Sequence, residues 1–547
     1  MRVRAALLSL SLALVGCQSN PPYQRPAMAL PQAWQVPLAV DDAATASGEA
    51  EWWAAFHDDQ LQQLLQQALA GSPDLRIAVD RMRAAAASVG VARSFEYPSI
   101  SFDAGPTDPV LLRLAGQNSR NHVDDAHYQV GLNASYEIDF WGRVSSSVDA
   151  AQFEYQASRD DVDTARIALL SGVARAYFAL RSCDALLQQA TRKSQLAAQR
   201  VQLLQMRVDA GRIVVAPLVE AQLAAQDADA TVADLRLQRH AALQQLQALI
   251  GDTGETLQLT PELSRDAAAV ASPTQAGVKD DSANDSVKGS ADDSARRSPP
   301  AVAERTNRAD EPADESPDRA LDVPLPPAGL PSSLLERRAD VRAAEARLAS
   351  AQAQVSVARA ARFPQVQLTA EFGYLTAAVV HILHAGSALI GIGPGVSLPI
   401  FDGGRSAAEV EIRRQQYDAA LAEYQKSVLA AFGDVETALL ANQAAREAAA
   451  RWARAEDLQR SELQRTQLSL DAGHADRLQL LDAQQRAIEL RVSALLAARQ
   501  QRDSLVLLYQ ALGGGAQASG HPDEAAAPES AAPVEAAATR DENASPP

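Results

Sequence analysis

The sequence predicts a mainly α-helical chain with a β-barrel part, built as an internal two-fold repeat. Three observations support this fold class: segments that recur at a fixed spacing, a very long stretch without proline, and four short segments in which apolar and polar residues alternate. Aromatic residues make up only 5% of the 547 residues. Together with abundant alanine, this suits long, thinly packed helices better than a thick core.

The two halves of the chain match in sequence. Asp209-Ala210-Gly211 recurs as Asp471-Ala472-Gly473, at an offset of 262 residues that is shared by several other pairs. Before the strand segments the offset is 266, as for Pro98 and Pro364, so the repeats differ by four residues inside one hairpin. This constant register predicts long continuous helices, in which a one-residue slip would rotate the whole buried face.

Each repeat is predicted to run helix, strand, strand, very long helix, turn, helix. In the first repeat we expect a helix from Gln60 to Arg93. Between Arg143 and Gly211 there is no proline, which predicts one helix of about 68 residues and roughly 100 Å. The two tip glycines, Gly211 and Gly473, suit left-handed helix caps.

The chemistry that follows each tip predicts the start of a second helix. Pro217 suits the first turn of the helix in the first repeat, and Asp476 suits an N-cap in the second. We therefore expect two long antiparallel helical hairpins in each chain, whose alanine-rich faces pack closely together.

Alternation predicts four strands. From Tyr128 to Asp139 apolar and polar residues alternate, with the length and period of a membrane-spanning barrel strand. The other strands carry apolar alternation from Ile100, from Val366, and from Ile390 to Ile400. The alternative is a pair of soluble hairpins, each half-buried on a core.

Four strands cannot close a barrel, and hydrocarbon does not tolerate open edges, so the membrane interpretation requires an oligomer. Two chains would give eight strands and a filled interior, whereas three would give twelve strands and room for a lumen. Composition does not choose between the two.

The N-terminus has the features of an export signal. Arg2 and Arg4 precede an apolar run of 11 residues, Ala5–Val15, which is too short for an ordinary transmembrane helix and indicates a signal peptide over 1–16. Cys17 follows small residues in a pattern that resembles the lipobox of bacterial lipoproteins. The pattern implies acylation of Cys17, and Gln18 after it implies sorting to the outer membrane; a plain secretory signal is the alternative.

Charge and low-complexity segments complete the domain assignment. The net charge of −18 disfavours nucleic-acid binding and a polybasic membrane patch. Half of it lies in two segments poor in large apolar residues, 264–320 and 516–547, which we expect to be disordered. The predicted division is a signal peptide (1–16), a lipidated N-terminal segment (17–59), repeat 1 (60–251), an inter-repeat linker (252–330) with the acidic insertion 264–320, repeat 2 (331–513) and a C-terminal tail (514–547).

Catalytic, cofactor and metal sites are not indicated. The chain has two cysteines, too few for a thiolate metal site. His381 and His384 lie near a predicted loop without a third ligand nearby, so we interpret them as surface residues. No nucleophile constellation stands out, and an enzyme is disfavoured.

The chain resembles the TolC/NodT-type outer-membrane factors, the exit ducts of tripartite efflux systems. The resemblance rests on Trp52–Asp58, on Gly329–Val341 and on the paired Asp-Ala-Gly turns. Ala339, where such proteins commonly have proline, and the 264–320 insertion depart from the family pattern. The resemblance implies a homotrimer in the outer membrane, with a 12-stranded β-barrel continuous with a periplasmic α-helical barrel, a periplasmic adaptor and an inner-membrane pump of the RND type.

The resemblance also implies site residues at the periplasmic end. Leu478 and Asp482, one helical turn apart, match the pore constriction of the family. The turns that match the adaptor-docking tips contain Asp209, Gly211, Arg212, Asp471, Gly473 and His474. The alternatives are a lipid-anchored coiled-coil scaffold without a channel, and a duct of the same fold that serves protein secretion or metal export. No residue identifies the cargo.

Overall fold

A computed structural model describes residues 22–28, 31, 34, 52–107, 127–252, 334–376 and 388–514. The first half contains a short 3₁₀ helix (Trp52–Phe56), α1 (Asp59–Gly71), α2 (Pro73–Ser94), β1 (Ser99–Thr107), β2 (His127–Ile138), α3 (Arg143–Asp209) and α4 (Ala216–Ile250). The second half contains α5 (Leu334–Arg337), α6 (Ala339–Ala360), β3 (Gln365–Thr376), β4 (Ala388–Ser397), α7 (Arg405–Asp471) and α8 (Arg477–Ala511).

The predicted long helices are confirmed, but the first helix is not continuous. Helices α3 and α7 each have 67 residues. The expected helix from Gln60 to Arg93 is wrong, because the chain breaks at Ser72, which has extended backbone (φ −62°, ψ 123°). Pro73 then begins α2. Proline has no N–H to continue the bonding of α1, and its fixed φ suits the first turn of a new helix.

The fourth strand is shorter than its alternation indicates. It ends at Ser397, so Leu398 and Ile400 lie in the connection to α7. Pairing stops there because Ser397 is paired with Gln365, the first residue of β3. Pro399 follows, and it has no N–H for a further ladder bond.

The four strands form one antiparallel sheet in the order β1-β2-β3-β4. One face exposes large apolar side chains such as Phe102 and Ile392. The other face carries polar pairs: Gln129 Nε2 donates to Glu371 Oε1 (2.6 Å), and the Asn133 amide donates to Asp103 (2.6 Å). Strands β1 and β4 are the two edges, and each has a sheet neighbour on one side only within the described chain.

The helices form a wall with α3 in its middle. Helices α2 and α4 pack on one side of α3, and α6 and α8 pack on the other. Helix α7 then packs on α6 and α8. One edge of the wall is therefore α2 with α4, and the other edge is α7. None of the described helices combines the length and the apolar character needed to cross a bilayer.

An aromatic cluster joins the two halves of the chain near the middle of α3. Trp52 stacks on Tyr509 of α8, with ring centroids 5.3 Å apart, and Phe56 contacts Phe178 of α3 at 5.0 Å. The hydroxyl of Tyr177 donates to Asp58 Oδ2 (2.8 Å). The short 3₁₀ helix thus ties α3 to α8.

The N-terminal segment lies against the upper part of the wall. Tyr23 contacts Phe153 of α3, with centroids 6.3 Å apart. Arg25 Nε donates to Glu345 Oε1 of α6 (2.7 Å), and Trp34 contacts Phe432 of α7 at 6.0 Å. Three helices of the wall therefore share contacts with this one segment.

Candidate functional site at the hairpin tips

The two hairpins end in the same turn. Gly211 and Gly473 have φ values of 63° and 76°, as their position after the long helices predicts. In the first tip the N–H of Arg212 donates to the carbonyl of Arg207 (2.9 Å), and in the second the N–H of His474 donates to that of Ser469 (2.8 Å). Both turns satisfy the last carbonyls of a helix in the manner of a Schellman motif.

The side chains predicted for docking lie on these turns. Asp209 accepts from Gln205 Nε2 (2.8 Å) and Asp471 from Gln467 Nε2 (3.0 Å), so each aspartate is held by its own helix. The structure brings together two exposed sets, one for each hairpin: Asp209, Gly211 and Arg212, and Asp471, Gly473 and His474.

The first tip is more apolar than the second. Val214 and Val215 are 73% and 56% exposed. The second tip has Asp476 and Arg477 at the corresponding positions. Asp476 is the N-cap of α8 and forms a capping box, in which its backbone N–H donates to Gln479 Oε1 (3.0 Å).

The predicted gate residues lie on the side of α8 that meets the first hairpin. Leu478 is half-buried and packs against a small cluster of Leu204, Leu218 and Ala221. Asp482 is 38% exposed and forms an ion pair with Arg200 of α3. Both side chains therefore bridge from the second hairpin to the first.

Three ion pairs connect α3 and α8 near the tips. Lys193 Nζ lies 3.9 Å from Glu489 Oε1, Arg200 pairs with Asp482, and Arg207 Nη2 lies 2.7 Å from both oxygens of Asp476. The basic members are spaced seven residues apart on α3, so they share one helix face. We call these three pairs the cross-hairpin ladder.

The ladder is accessible to water. The Arg207 guanidinium lowers the pKa of Asp476, mainly through its hydrogen bonds. Asp476 and Glu489 are 45% and 52% exposed. Each pair of this kind contributes about 0.5 kcal/mol, so the ladder fixes the relative position of the hairpins without making their separation costly. The three bases were not among the predicted site residues, although their seven-residue spacing on α3 is visible in the sequence.

The cysteines and the paired histidines lie away from the tips or outside the described chain. Cys17, His381 and His384 lie outside the described residues. Cys183 is buried in α3, and burial raises the pKa of its thiol. Among the residues that the structure describes, no three His, Cys, Asp or Glu side chains form a group able to hold a metal ion.

The architecture is that of an outer-membrane channel. The crystal structure of the open state of the MtrE outer membrane channel from Neisseria gonorrhoeae is 27% identical, with a TM-score of 0.66 over 91% of this chain and 98% of that one. The outer membrane efflux protein family matches residues 64–252 and 330–514. The chain belongs to this family: it is an outer-membrane efflux protein whose helices extend into the periplasm.

Two curated relatives cover nearly the full length. The pyoverdine export outer membrane protein OpmQ of Pseudomonas putida is 31% identical over 519 residues, which are 94% of this chain and 97% of the relative. The cation efflux system protein CusC of Escherichia coli K12 is 26% identical and covers 92% and 98%. Both relatives are named for export and not for catalysis.

Proposed function

We propose that the chain is the exit duct of a tripartite efflux system, and that it works as a homotrimer which passively conducts drugs or other small solutes. An inner-membrane pump of the RND type and a periplasmic adaptor deliver the substrate. The observation that carries the proposal is the open four-stranded sheet above two long helical hairpins, because this sheet is complete only when several copies join.

The edges of the sheet support a closed ring of copies. Unpaired backbone groups of β1 and β4 are costly in hydrocarbon, and pairing β4 of one copy with β1 of the next removes both edges. Three copies give twelve strands and a lumen, whereas two give eight strands with a filled interior. The polar face, with Gln129 and Glu371 hydrogen-bonded across it, suits a water-filled lumen.

The two-fold repeat is part of the proposal. We assign repeat 1 to 60–251 and repeat 2 to 331–513. The two separate family matches, 64–252 and 330–514, support this division, as do the equal lengths of α3 and α7. The signal peptide (1–16), the acidic insertion (264–320) and most of the C-terminal tail (514–547) lie outside the described residues.

The position of Tyr23 supports acylation of Cys17. Tyr23 lies six residues after Cys17, and a chain of this length spans at most about 20 Å when extended. Tyr23 contacts Phe153, which lies ten residues beyond Arg143 at the start of α3, or about 15 Å along the helix. This span is long enough for acyl chains on Cys17 to reach the membrane-facing end of the helical wall.

We assign the gate to Leu478 and Asp482. In a trimer, three copies of Leu478 form an apolar ring and three copies of Asp482 form a carboxylate ring that attracts cations. The cross-hairpin ladder supports a switch, because Arg200 ties Asp482 to α3 and opening by separation of the hairpins breaks this pair. The adaptor biases that switch by docking on the tips.

Planar-bilayer conductance of the purified oligomer tests this assignment. We expect rare, cation-selective openings from the natural chain, and openings about ten-fold more frequent from Arg200→Ala, since three copies lose about 0.5 kcal/mol each. Leu478→Ala with Asp482→Ala opens the duct as well and reduces its cation selectivity. The control is Asp457→Ala, which removes an exposed acid paired with Arg460 on the same helix.

The same conductance experiment distinguishes the duct from the scaffold without a channel. A silent natural chain and a silent variant, together with a monomeric mass, would exclude the duct and favour the lipid-anchored coiled-coil scaffold. OpmQ is named for pyoverdine export and CusC for cation efflux, so the names of the relatives do not agree on one cargo. Transport assays in cells that lack their own ducts distinguish export of small solutes from metal export and protein secretion by the same fold.

A further inference from the structure

We propose that neighbouring copies join near the hairpin tips along a charged seam, in which an acidic stripe on α4 of one copy faces a basic stripe on α7 of the next. The acidic stripe is Glu220, Asp227 and Asp234; the basic stripe is Arg451, Arg454 and Arg465. The seam rests on the proposed ring of copies and goes further, because it names the side chains that hold the ring together at its periplasmic end.

The outer face of α4 has no partner helix within the described chain. The helix buries Leu218 and Ala228 against α3, while the opposite side exposes Val219, Leu223 and Leu237 at 46%, 62% and 67%. Large apolar side chains in a row on one helix face indicate a contact surface.

The acidic stripe flanks this apolar row. Its three carboxylates are exposed and spaced seven residues apart, which keeps them on one side of the helix. Between Ala216 and Leu235 the helix has four acids and no base. The fourth acid, Asp229, accepts from Ser194 of α3 (2.6 Å), whereas no salt bridge to the stripe is found in the part of the chain that the structure describes.

The outer face of α7 is the other free edge of the wall. Helix α7 buries Asn442 and Ala449 on the side toward α8, and the opposite side exposes Leu440 and Leu458 at 56% and 72%. Arg451 and Arg465 lie seven residues before and after Leu458, on the same face.

The basic stripe retains an excess of positive charge. Two acids share its face, Glu447 and Glu462, which pair with Arg451 (3.7 Å) and Arg465 (3.2 Å) on the same helix. Arg454 Nε donates to the carbonyl of Ala450 (3.1 Å). Three guanidinium groups therefore face outward with two carboxylates, opposite a stripe of three carboxylates in the neighbouring copy.

The two stripes lie at similar distances from the hairpin tips, measured along the helices. The tips of the two hairpins are level, because Arg207, two residues before the end of α3, bonds Asp476 at the start of α8. Rotation about the barrel axis preserves height, so α4 and the neighbour's α7 run antiparallel from a common level. Glu220 lies four residues after the start of α4, and Arg465 lies six residues before the end of α7.

The agreement continues higher in the seam. Asp234 lies 18 residues from the start of α4, and Arg454 and Arg451 lie 17 and 20 residues from the end of α7. The sheet gives independent support, since α2 leads into β1 on one edge and α7 follows β4 on the other. Pairing of the strand edges therefore brings the α2–α4 edge of one copy to α7 of the next.

Charge exchange tests the seam. Variant A carries Glu220→Arg, Asp227→Arg and Asp234→Arg; variant B carries Arg451→Glu, Arg454→Glu and Arg465→Glu. We expect each to raise the dissociation constant of the detergent-solubilised oligomer about ten-fold, since reversed rim charges repel. The chain that carries both sets restores the natural constant. The control, Asp457→Ala, removes an exposed carboxylate of α7 that lies outside the basic stripe and leaves the oligomer unchanged.

A cysteine cross-link tests the seam without relying on the stability of the oligomer. Asp234→Cys with Arg454→Cys is expected to form disulfides between copies, seen as covalent dimers and trimers, whereas the parent chain with its buried Cys183 forms none at this level. If the natural chain is trimeric but variants A and B stay trimeric and the cysteines do not cross-link, the seam is wrong and the duct stands. A monomeric natural chain overturns both proposals.

Discussion

Helices α3 and α7 have the same length and occupy equivalent places in the two halves, yet they differ in burial. Both have 67 residues, but α3 has 21 buried residues and α7 has 10. Helix α3 has neighbours on both sides, whereas α7 has them on one. A single chain therefore buries α3 between neighbouring helices but leaves the outer face of α7 exposed.

This difference separates two kinds of stabilisation. Leu429, Leu440, Leu458 and Leu468 are between 56% and 72% exposed on α7, and apolar side chains in such number mark a contact surface. A substitution in α3 is therefore expected to change the stability of the chain itself. A substitution on the outer face of α7 is expected to change assembly.

The largest effect is expected in the core of α3. Tyr177 is 1% exposed and its hydroxyl is bonded to Asp58, so Tyr177→Ala should lower the free energy of unfolding by about 3–5 kcal/mol. Leu458→Ala, on the outer face of α7, should change it by less than about 0.5 kcal/mol in the dissociated chain. Urea unfolding followed by circular dichroism measures both, and equal effects would remove the contrast between the helices.

A smaller effect is expected where α3 meets α6. Arg342 contacts Asp160 (2.8 Å) and Asp163 (3.3 Å) of α3 and the carbonyl of Glu336 (3.0 Å). Burial raises the pKa of Asp160, although Arg342 opposes the shift. Arg342→Ala leaves these acceptors without their donor and should cost about 2 kcal/mol in the same assay. The control Arg347→Ala removes a more exposed contact to Asp161 and should cost less.

The smallest effect is expected at the tips and depends on pH. Arg207 lowers the folded pKa of Asp476, so this contact stabilises the fold above pH 4 and is lost as the pH falls through the lower folded value. Nitroxide labels at Arg212→Cys and His474→Cys should report a share of separated tips that rises about two-fold as the pH falls below the ordinary carboxylate value of about 4, since one exposed pair contributes about 0.5 kcal/mol. Adding Asp476→Asn should raise this share about two-fold at pH 7 too, whereas Asp471→Asn should leave it unchanged at pH 7.

Local patterns predicted most of the fold. The alternation from Tyr128 predicted β2, and the tip glycines predicted both turns, because these features depend on neighbours in sequence. The break at Ser72 was missed because the helical spacing of apolar residues continues across Pro73. Proline is compatible with the first turn of a new helix, but the spacing alone does not show that a new helix begins there. The partner of Asp482 was missed because Arg200 is 282 residues away, and its side of α3 is decided by packing.

A buried polar contact has a consequence for how the second hairpin finds its register. Asn442 of α7 donates to Ser504 of α8 (3.3 Å), and both residues are at most 2% exposed. A shift of one heptad between two alanine-rich helices again places small side chains opposite small side chains. Such a slip would bury the amide of Asn442 against apolar side chains without its partner, at a cost of about 1–3 kcal/mol. This buried contact, together with the tip turn, therefore favours one register of α7 on α8 during folding.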